Sequence, residues 1–87
     1  MITAKLTDNI WATKKADSLQ GYKLMLAEKT DKNAGREQLV VVDIIGAGIG
    51  DRVIITTGSS ARKMLGKDDV PVDAVVVGII DEDCIFD

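Results

Sequence analysis

The sequence predicts an all-β fold: a small, closed or partly open β-barrel built from five extended segments and one short α-helix. Apolar residues occupy 46% of the 87 positions but aromatic residues only 3%, so the core must be aliphatic, and the nine Val and ten Ile favour strands. The apolar segments are joined only by short connections, which fits a barrel better than a sandwich. A chain of this length is sufficient for one domain, predicted here as residues 1–87.

The first third of the chain predicts extended segments separated by polar turns. Residues 2–7 alternate apolar and polar side chains, the pattern of a half-buried strand. The Asp-Asn pair at 8–9 predicts a turn, after which residues 10–13 are expected to be extended again. Residues 24–27 form the next apolar run, and the polar, glycine-containing stretch 30–35 predicts a hairpin loop.

The central segment 39–45 predicts a strand that is covered on both faces. Its apolar run is interrupted only by Asp43 and contains three successive Val residues. The glycine-rich segment Gly46–Gly50 follows and leads into another strand over 52–57.

The last third predicts one short helix and one further strand. Residues 58–60 offer a hydroxyl group for an N-cap, and 61–65 are mostly good helix formers that end at Gly66. After a loop over 67–71, residues 74–80 form the last strand, and an acidic tail closes the chain. The strands at 39–45 and 74–80 carry more apolar surface than a small barrel can enclose, so part of it is expected between subunits.

The charge balance and the missing residue types exclude several classes of function. The chain has 11 Lys and Arg against 14 Asp and Glu, a net charge of -3, which is the wrong sign for a nucleic-acid partner. It has no His, the most frequent general base and zinc ligand, so neither an enzyme nor a metal or other cofactor is expected. Cys84 is the only cysteine, which precludes an intrachain disulfide. The chain contains no apolar run long enough to predict a membrane-spanning segment. A cytoplasmic location is therefore expected.

Three features are candidates for a binding or assembly site. The glycines at 46, 48 and 50 lack the pattern of a nucleotide loop, and they predict a place where backbones approach closely, at a barrel corner or around the axis of an oligomer. Ser59 and Ser60 are interpreted as helix-capping residues because no His is present to activate them as nucleophiles. Asp43, Asp73 and Arg62 are charges near apolar segments and need partners, either within the chain or across a subunit interface.

The order of these features resembles the ethanolamine-utilisation and carboxysome vertex proteins of bacterial microcompartments. Five blocks spread over nearly the whole chain carry the resemblance: Ile10-Trp11-Ala12-Thr13-Lys14-Lys15, Leu19-x-Gly21-x-Lys23-Leu24, Asp43-x-x-Gly46-Ala47-Gly48-x-Gly50-Asp51, Gly58-Ser59-Ser60-Ala61-Arg62, and Val72-Asp73-Ala74 with Val77-Gly78-Ile79-Ile80-Asp81. Two positions depart from the family pattern, Asp8 where glycine is frequent and Asp51 where glutamate is usual. Both replacements keep turn or charge character.

The resemblance implies a structural shell protein with an OB-like barrel that assembles as a ring. Five copies would cap the vertices of a polyhedral shell built from hexameric shell proteins, which gives the shell its curvature and closure. The ring interface and the region near its axis are then expected at the positions that keep the family pattern, namely Asp43, Gly46, Ala47, Gly48, Gly50, Asp51, Ser59, Ser60, Arg62 and Asp73.

Two other classes of function remain open at this point. A free-standing small barrel that binds a metabolite or a partner protein has the same strand pattern. A ring protein of the co-chaperonin kind is also a short barrel, but the chain has no long polar loop of the kind such a protein needs.

Overall fold

The computed structural model describes residues 1–31, 33, 35–67 and 69–85. In chain order the elements are β1 (Ile2–Ile10), β2 (Lys23–Lys29), β3 (Gln38–Asp43), β4 (Arg52–Thr57), α1 (Ser59–Met64) and β5 (Ala74–Ile79), with a 3-10 turn at Asp17–Leu19. Within those ranges, no helix combines the length and the apolar character that crossing a membrane requires. The predicted all-β architecture with one short helix is confirmed.

The five strands close into a barrel in the order β1-β2-β3-β5-β4. All neighbouring pairs are antiparallel except β3 and β5, which run parallel. The chain passes from β3 through β4 and α1 before it reaches β5. This connection brings the two most apolar strands side by side, which explains why both are covered on two faces.

The barrel interior is filled by the inward-facing residues of each strand. On β1, Ala4 and Leu6 are fully buried while their neighbours in the chain face outward, as the alternating pattern predicts. The interior cluster contains small and medium aliphatic side chains: Ala4, Leu6, Met25, Ala27, Val41, Ala47, Val53, Ile55, Ala74 and Val76.

A second cluster lies on the outside of the barrel, under the helix. Val42 on β3 and Val75 on β5 point away from the interior and pack with Ala61 of α1 and with Val70 and Val72 from the segment that follows the helix. Consecutive residues of β3 and of β5 are therefore buried, some inside the barrel and some beneath α1. The prediction that the 39–45 strand is covered on both faces is confirmed for residues 41–43 and is wrong for Val40, Ile44 and Ile45, which are exposed.

The turn predicted at residues 8–9 is wrong, because β1 continues through them to Ile10. The pairing with β2 shifts register between Leu6 and Asp8, which leaves Thr7 as the extra residue of a β-bulge. The hydroxyl group of Thr7 donates a hydrogen bond to the carbonyl oxygen of Leu26 at 3.3 Å. A bulge bends a strand and increases its twist, as closing a small barrel requires. The segment 11–13, expected to be extended, lies beyond the end of the strand.

The helix begins earlier than predicted and has no side-chain cap. Gly58 is the N-cap residue, with φ of +69°, and Ser59 and Ser60 are already in the first turn of α1. The predicted capping hydroxyl is therefore wrong. A glycine adopts this φ at little cost, so the chain turns directly from β4 into the helix, and the Gly58 N–H donates to the carbonyl oxygen of Asp73 at 2.9 Å. Gly66, with φ of +72°, follows the end of the helix as predicted.

Three predicted connections include positions outside the described residues. β2 and β3 pair as the hairpin that the 30–35 stretch predicts, and positions 32 and 34 of its loop are among those not described. The same holds for position 68 in the 67–71 loop and for positions 86 and 87 of the acidic tail.

Candidate assembly surface

The structure places the ten predicted site residues in two groups. The first group lies at the end of β3 and in the connection to β4, residues 44–51, which we call the glycine loop: Asp43, Gly46, Ala47, Gly48, Gly50 and Asp51. The second lies on α1 and just before β5: Ser59, Ser60, Arg62 and Asp73.

Asp43 is buried and is paired within its own chain. The residue is 6% exposed, and its Oδ1 accepts a hydrogen bond from the backbone N–H of Ile45 at 3.1 Å. Its Oδ2 lies 3.4 Å from the Nζ of Lys23 on the neighbouring strand. Of the two kinds of pairing left open by the sequence, the intrachain pair is therefore the one observed for Asp43.

The first half of the glycine loop is attached to the barrel at Ala47. The side chain of Ala47 is 1% exposed and belongs to the interior cluster, and its carbonyl oxygen accepts a hydrogen bond of 2.8 Å from Lys23 Nζ. Gly46 precedes it with φ of +86°, the left-handed region that favours glycine. The loop thus turns sharply and returns to the barrel within a few residues.

The second half of the glycine loop is bonded to itself and to β1. Asp51 Oδ2 accepts a hydrogen bond from the N–H of Gly48 at 2.9 Å, and the N–H of Asp51 donates to the carbonyl oxygen of Gly48 at 3.1 Å. The N–H of Gly50 donates to the carbonyl oxygen of Leu6 at 2.8 Å. These bonds hold the loop against the barrel wall.

The predicted crowding of backbones around the loop glycines is wrong for the single subunit. A Cβ added to Gly46 or Gly50 would meet no heavy atom within 4 Å, and at Gly48 the nearest would be Asp51 Oδ2 at 3.9 Å. Gly46 and Gly50 are suited to their positions by positive φ angles instead. Close approach of Gly48 to a neighbouring subunit stays a prediction.

The glycine loop exposes three isoleucines, two of which the sequence placed in a strand. Ile44 and Ile45 were assigned to the end of a buried strand, but β3 ends at Asp43, and their exposures are 42% and 43%. Ile49 is 57% exposed and lines a groove of about 630 Å³ whose opposite wall comes from β1 and β2. The predicted surplus of apolar surface is confirmed, and much of it is on this loop.

The second group presents polar side chains around the start of α1. Ser59 and Ser60 are exposed, and Arg62 Nη1 donates a hydrogen bond to the carbonyl oxygen of Val72 at 3.4 Å. Among the described residues no carboxylate lies within ion-pair distance of Arg62, and the exposed Asp73 contacts the helix through its backbone. An ion pair between Arg62 and a carboxylate of the same chain is therefore not found among the described residues, and a partner across a subunit interface stays a prediction.

Lys23 is the residue of this surface that sequence reasoning missed as a site residue. It was noted only as part of a family block, although it supplies the cation for Asp43 and also contacts Ala47. The signal was available in principle: a hairpin between residues 24–27 and 39–45 can place Lys23 opposite Asp43, as the observed register does.

The geometry is that of a structural subunit built to pack against other protein surfaces. Part of its exposed apolar surface, Ile44, Ile45 and Ile49, lies on a loop that is hydrogen-bonded to a closed barrel. The chain belongs to the EutN/CcmL family, because the family model described as ethanolamine utilisation protein EutN/carboxysome matches residues 1–81.

Similar proteins carry consistent descriptions. The bacterial microcompartment shell vertex protein GrpN of Rhodospirillum rubrum is 46% identical over 84 residues, covering 93% of each chain. The carboxysome shell vertex protein CcmL of Synechocystis is 42% identical over 83 residues, covering 93% of this chain and 83% of CcmL. The solved structure of GrpN, described as a pentameric microcompartment shell protein, superposes with a TM-score of 0.78 at 37% identity, covering 93% and 95% of the two chains.

The family assignment decides between the classes of function that the sequence left open. The relatives are structural vertex proteins and not catalysts, which confirms the prediction that the chain is not an enzyme. The OB-like barrel implied by the resemblance is likewise confirmed by the five-stranded closed barrel and its structural neighbours.

Proposed function

We propose that this chain is a structural shell protein whose copies form pentamers that cap the vertices of a polyhedral bacterial microcompartment. Membership of the EutN/CcmL family and similarity to a pentameric shell protein support this function. The shell lies in the cytoplasm, and the neighbours of the pentamer in the shell are hexameric shell proteins.

Pentamers serve a geometric purpose in such a shell. A flat net of hexagons cannot close on itself, whereas pentagons introduced into the net bend it into a closed polyhedron. A ring of five requires a head-to-tail interface, in which two different surfaces of each subunit meet. The subunit therefore needs two complementary patches, and the site residues form two groups.

The observation that carries the proposal is the exposed apolar surface of the glycine loop. Ile44, Ile45 and Ile49 protrude from a loop that is hydrogen-bonded to the barrel, so their burial against a neighbour does not require the loop to become ordered. Burial of apolar surface contributes roughly 25 cal/mol per Å² before the costs of association. Interfaces of permanent oligomers are mostly apolar, in agreement with this composition.

The polar group on α1 supplies the second patch in this proposal. Ser59 and Ser60 expose hydroxyl groups, and Arg62 has guanidinium donors beyond the one that contacts Val72. Asp73 is an exposed carboxylate beside them. These groups would add directional hydrogen bonds and ion pairs to an association driven by the isoleucines.

The native mass of the purified protein over a dilution series tests the proposal. A pentamer of a 9.3 kDa subunit has a mass of about 46.5 kDa, and a species of that mass should persist at low concentration. A monomer or dimer at every concentration would contradict the ring and favour a free-standing binding module.

Two single substitutions then test the assignment of the interface. Ile45→Ser removes apolar surface from the glycine loop and should shift the equilibrium towards monomers. Val40→Ser is the matched control, because Val40 is 52% exposed but lies on β3, outside the glycine loop. Equal effects of the two substitutions would refute the assignment of the glycine loop as an interface.

A further inference from the structure

Lys23 lies outside the glycine loop and contacts Asp43, just before the loop, and Ala47, in its first half. Lys23 is the first residue of β2 and lies directly opposite Asp43, the last residue of β3, in their antiparallel register. Its Nζ is 3.4 Å from Asp43 Oδ2 and donates a hydrogen bond of 2.8 Å to the carbonyl oxygen of Ala47. A single ammonium group therefore ties the end of β3 to a backbone atom four residues further along the chain.

The carboxylate of Asp43 depends on this lysine. The Asp43 side chain is 1% exposed, and its Oδ2 accepts no hydrogen bond from any described residue, so its interaction with Lys23 Nζ at 3.4 Å is an ion pair. A buried carboxylate requires a counter-charge, and Lys23 is the cation within ion-pair distance. The Lys23 side chain is itself 48% exposed, so its ammonium group pairs with the carboxylate while the side chain keeps contact with solvent.

The turn between Asp43 and Ala47 carries residues of the proposed interface. Ile44 and Ile45 project from this turn, and Gly46 completes it with its positive φ. The second half of the loop is bonded to β1 and to Asp51 without any contribution from Lys23. The conformation of Ile44 and Ile45 therefore depends more strongly on the Lys23 contacts than the conformation of Ile49 does.

We propose that Lys23 is a positioning residue for ring assembly. Its ammonium group fixes the turn from Asp43 to Ala47 so that Ile44 and Ile45 are held ready to meet the neighbouring subunit. This inference rests on the proposed function. Side chains and loops that are already ordered lose less conformational freedom on association. Lys23 therefore strengthens the ring without contacting the neighbouring subunit.

Three variants of the full chain test this role. Lys23→Met keeps most of the side-chain volume and removes the charge, and Lys23→Arg keeps the charge. Lys15→Met is the matched control, because Lys15 Nζ likewise donates a hydrogen bond to a backbone carbonyl oxygen, that of Tyr22 at 3.2 Å, and Lys15 lies outside the glycine loop. Two quantities are measured for each variant: the protein concentration at which half of the ring has dissociated, by native mass spectrometry, and the exchange rates of individual amides, by NMR.

The expected result separates positioning from general stability. Lys23→Met should raise the dissociation midpoint roughly tenfold or more. It should also speed exchange at the Ile45 amide, which is bonded to Asp43 Oδ1, while amides of β1 and β4 keep their protection. Lys23→Arg should restore most of the association, and Lys15→Met should leave the midpoint within about twofold of the unaltered chain.

Two results would overturn the positioning role of Lys23 and leave the proposed function unaffected. One is a Lys23→Met ring with an unchanged midpoint and unchanged exchange at Ile45. The other is faster exchange throughout the barrel, since a general loss of stability would then account for weaker association. An unaltered chain that never forms a ring would overturn the proposed function itself, and with it the assembly role of Lys23.

Discussion

The backbone N–H of Leu6 donates a hydrogen bond of 3.0 Å to the carbonyl oxygen of Asp51, which joins the middle of β1 to the last residue of the glycine loop. This contact lies beside the β-bulge at Thr7, where β1 changes its pairing with β2. The bulge and the loop therefore occur at one point of the barrel wall. The side chain of Asp51 also accepts a hydrogen bond from Gly48 within the loop, so this residue connects β1 to the exposed part of the loop.

Removal of the Asp51 carboxylate should destabilise the subunit. Asp51→Ala leaves the Gly48 N–H without its side-chain acceptor and should lower the free energy of unfolding by about 1 kcal/mol. Asp51→Asn should cost less, because the amide oxygen still accepts the bond. Urea unfolding of the dissociated subunit measures both effects, with Asp8→Ala as the control, since Asp8 is exposed and its Oδ1 accepts a bond from the backbone N–H of the adjacent Asn9. A loss at Asp8 as large as that at Asp51 would contradict this explanation.

The loop glycines should differ in their tolerance of alanine. Gly50 has φ of +93°, so Gly50→Ala forces a left-handed conformation on an L-residue and should cost about 1–2 kcal/mol of subunit stability. Gly48 is the matched control, because it has no positive φ and the added Cβ would meet only Asp51 Oδ2, at 3.9 Å. Thermal unfolding of the two alanine variants should therefore show a lower Tm for Gly50→Ala alone.

A bulky residue at Gly48 tests the approach of neighbouring subunits. The space around Gly48 within one subunit is open, so Gly48→Trp should leave the subunit folded and still prevent the ring from closing. Native mass spectrometry and circular dichroism together check both parts of this expectation. An intact pentamer of the tryptophan variant would show that the subunits do not approach closely at this position.

Two valines on one face of β3 should differ in their contribution to stability. Val42 is 2% exposed beneath α1, and Val40, two residues earlier, is 52% exposed. Val42→Ala should lower the free energy of unfolding by about 2 kcal/mol, whereas Val40→Ala should change it by less than about 0.5 kcal/mol. Denaturant unfolding below the dissociation midpoint of the ring measures the difference. Equal losses would mean that the outer cluster does not stabilise the barrel.

Arg52 should control the order of the C-terminal segment. Its Nη2 donates hydrogen bonds to the carbonyl oxygens of Asp81 and Cys84, at 2.8 and 2.6 Å. Arg52→Ala removes both donors, so the Cys84 amide, which is bonded to the carbonyl oxygen of Asp81, should exchange faster by a factor of about ten or more. Amide exchange measured by NMR checks this, and Arg36→Ala in the exposed hairpin loop serves as the control. Unchanged protection at Cys84 would show that the segment is ordered by other contacts.

Features that depend on hydrophobic periodicity were predictable from the sequence. The alternation around Ala4 and Leu6 marks the inner face of β1, and the Val run marks β3, in which Val41 is buried inside the barrel and Val42 beneath α1. Both signals are local, because burial selects apolar residues strand by strand. The closed barrel follows from them once the short connections are taken into account.

Features that depend on contacts between distant residues were not predictable. Residues 8–9 have turn-forming side chains, but pairing with β2 on one side of the barrel keeps them extended. Gly58 begins the helix because its backbone meets Asp73, fifteen positions away. For Asp43, the predicted hairpin offers Lys23 as a partner, but only the strand register selects this lysine.

The closed order of the strands has a consequence for the way in which copies of the chain can associate. Each of the five described strands has a hydrogen-bonded strand on both sides, so none of them offers a free edge along which another copy could extend the sheet. Copies can therefore recognise one another only through side chains and loops, whose shapes limit the number of subunits that fit. Growth by strand addition, which has no natural end point, is disfavoured, and a finite assembly is favoured.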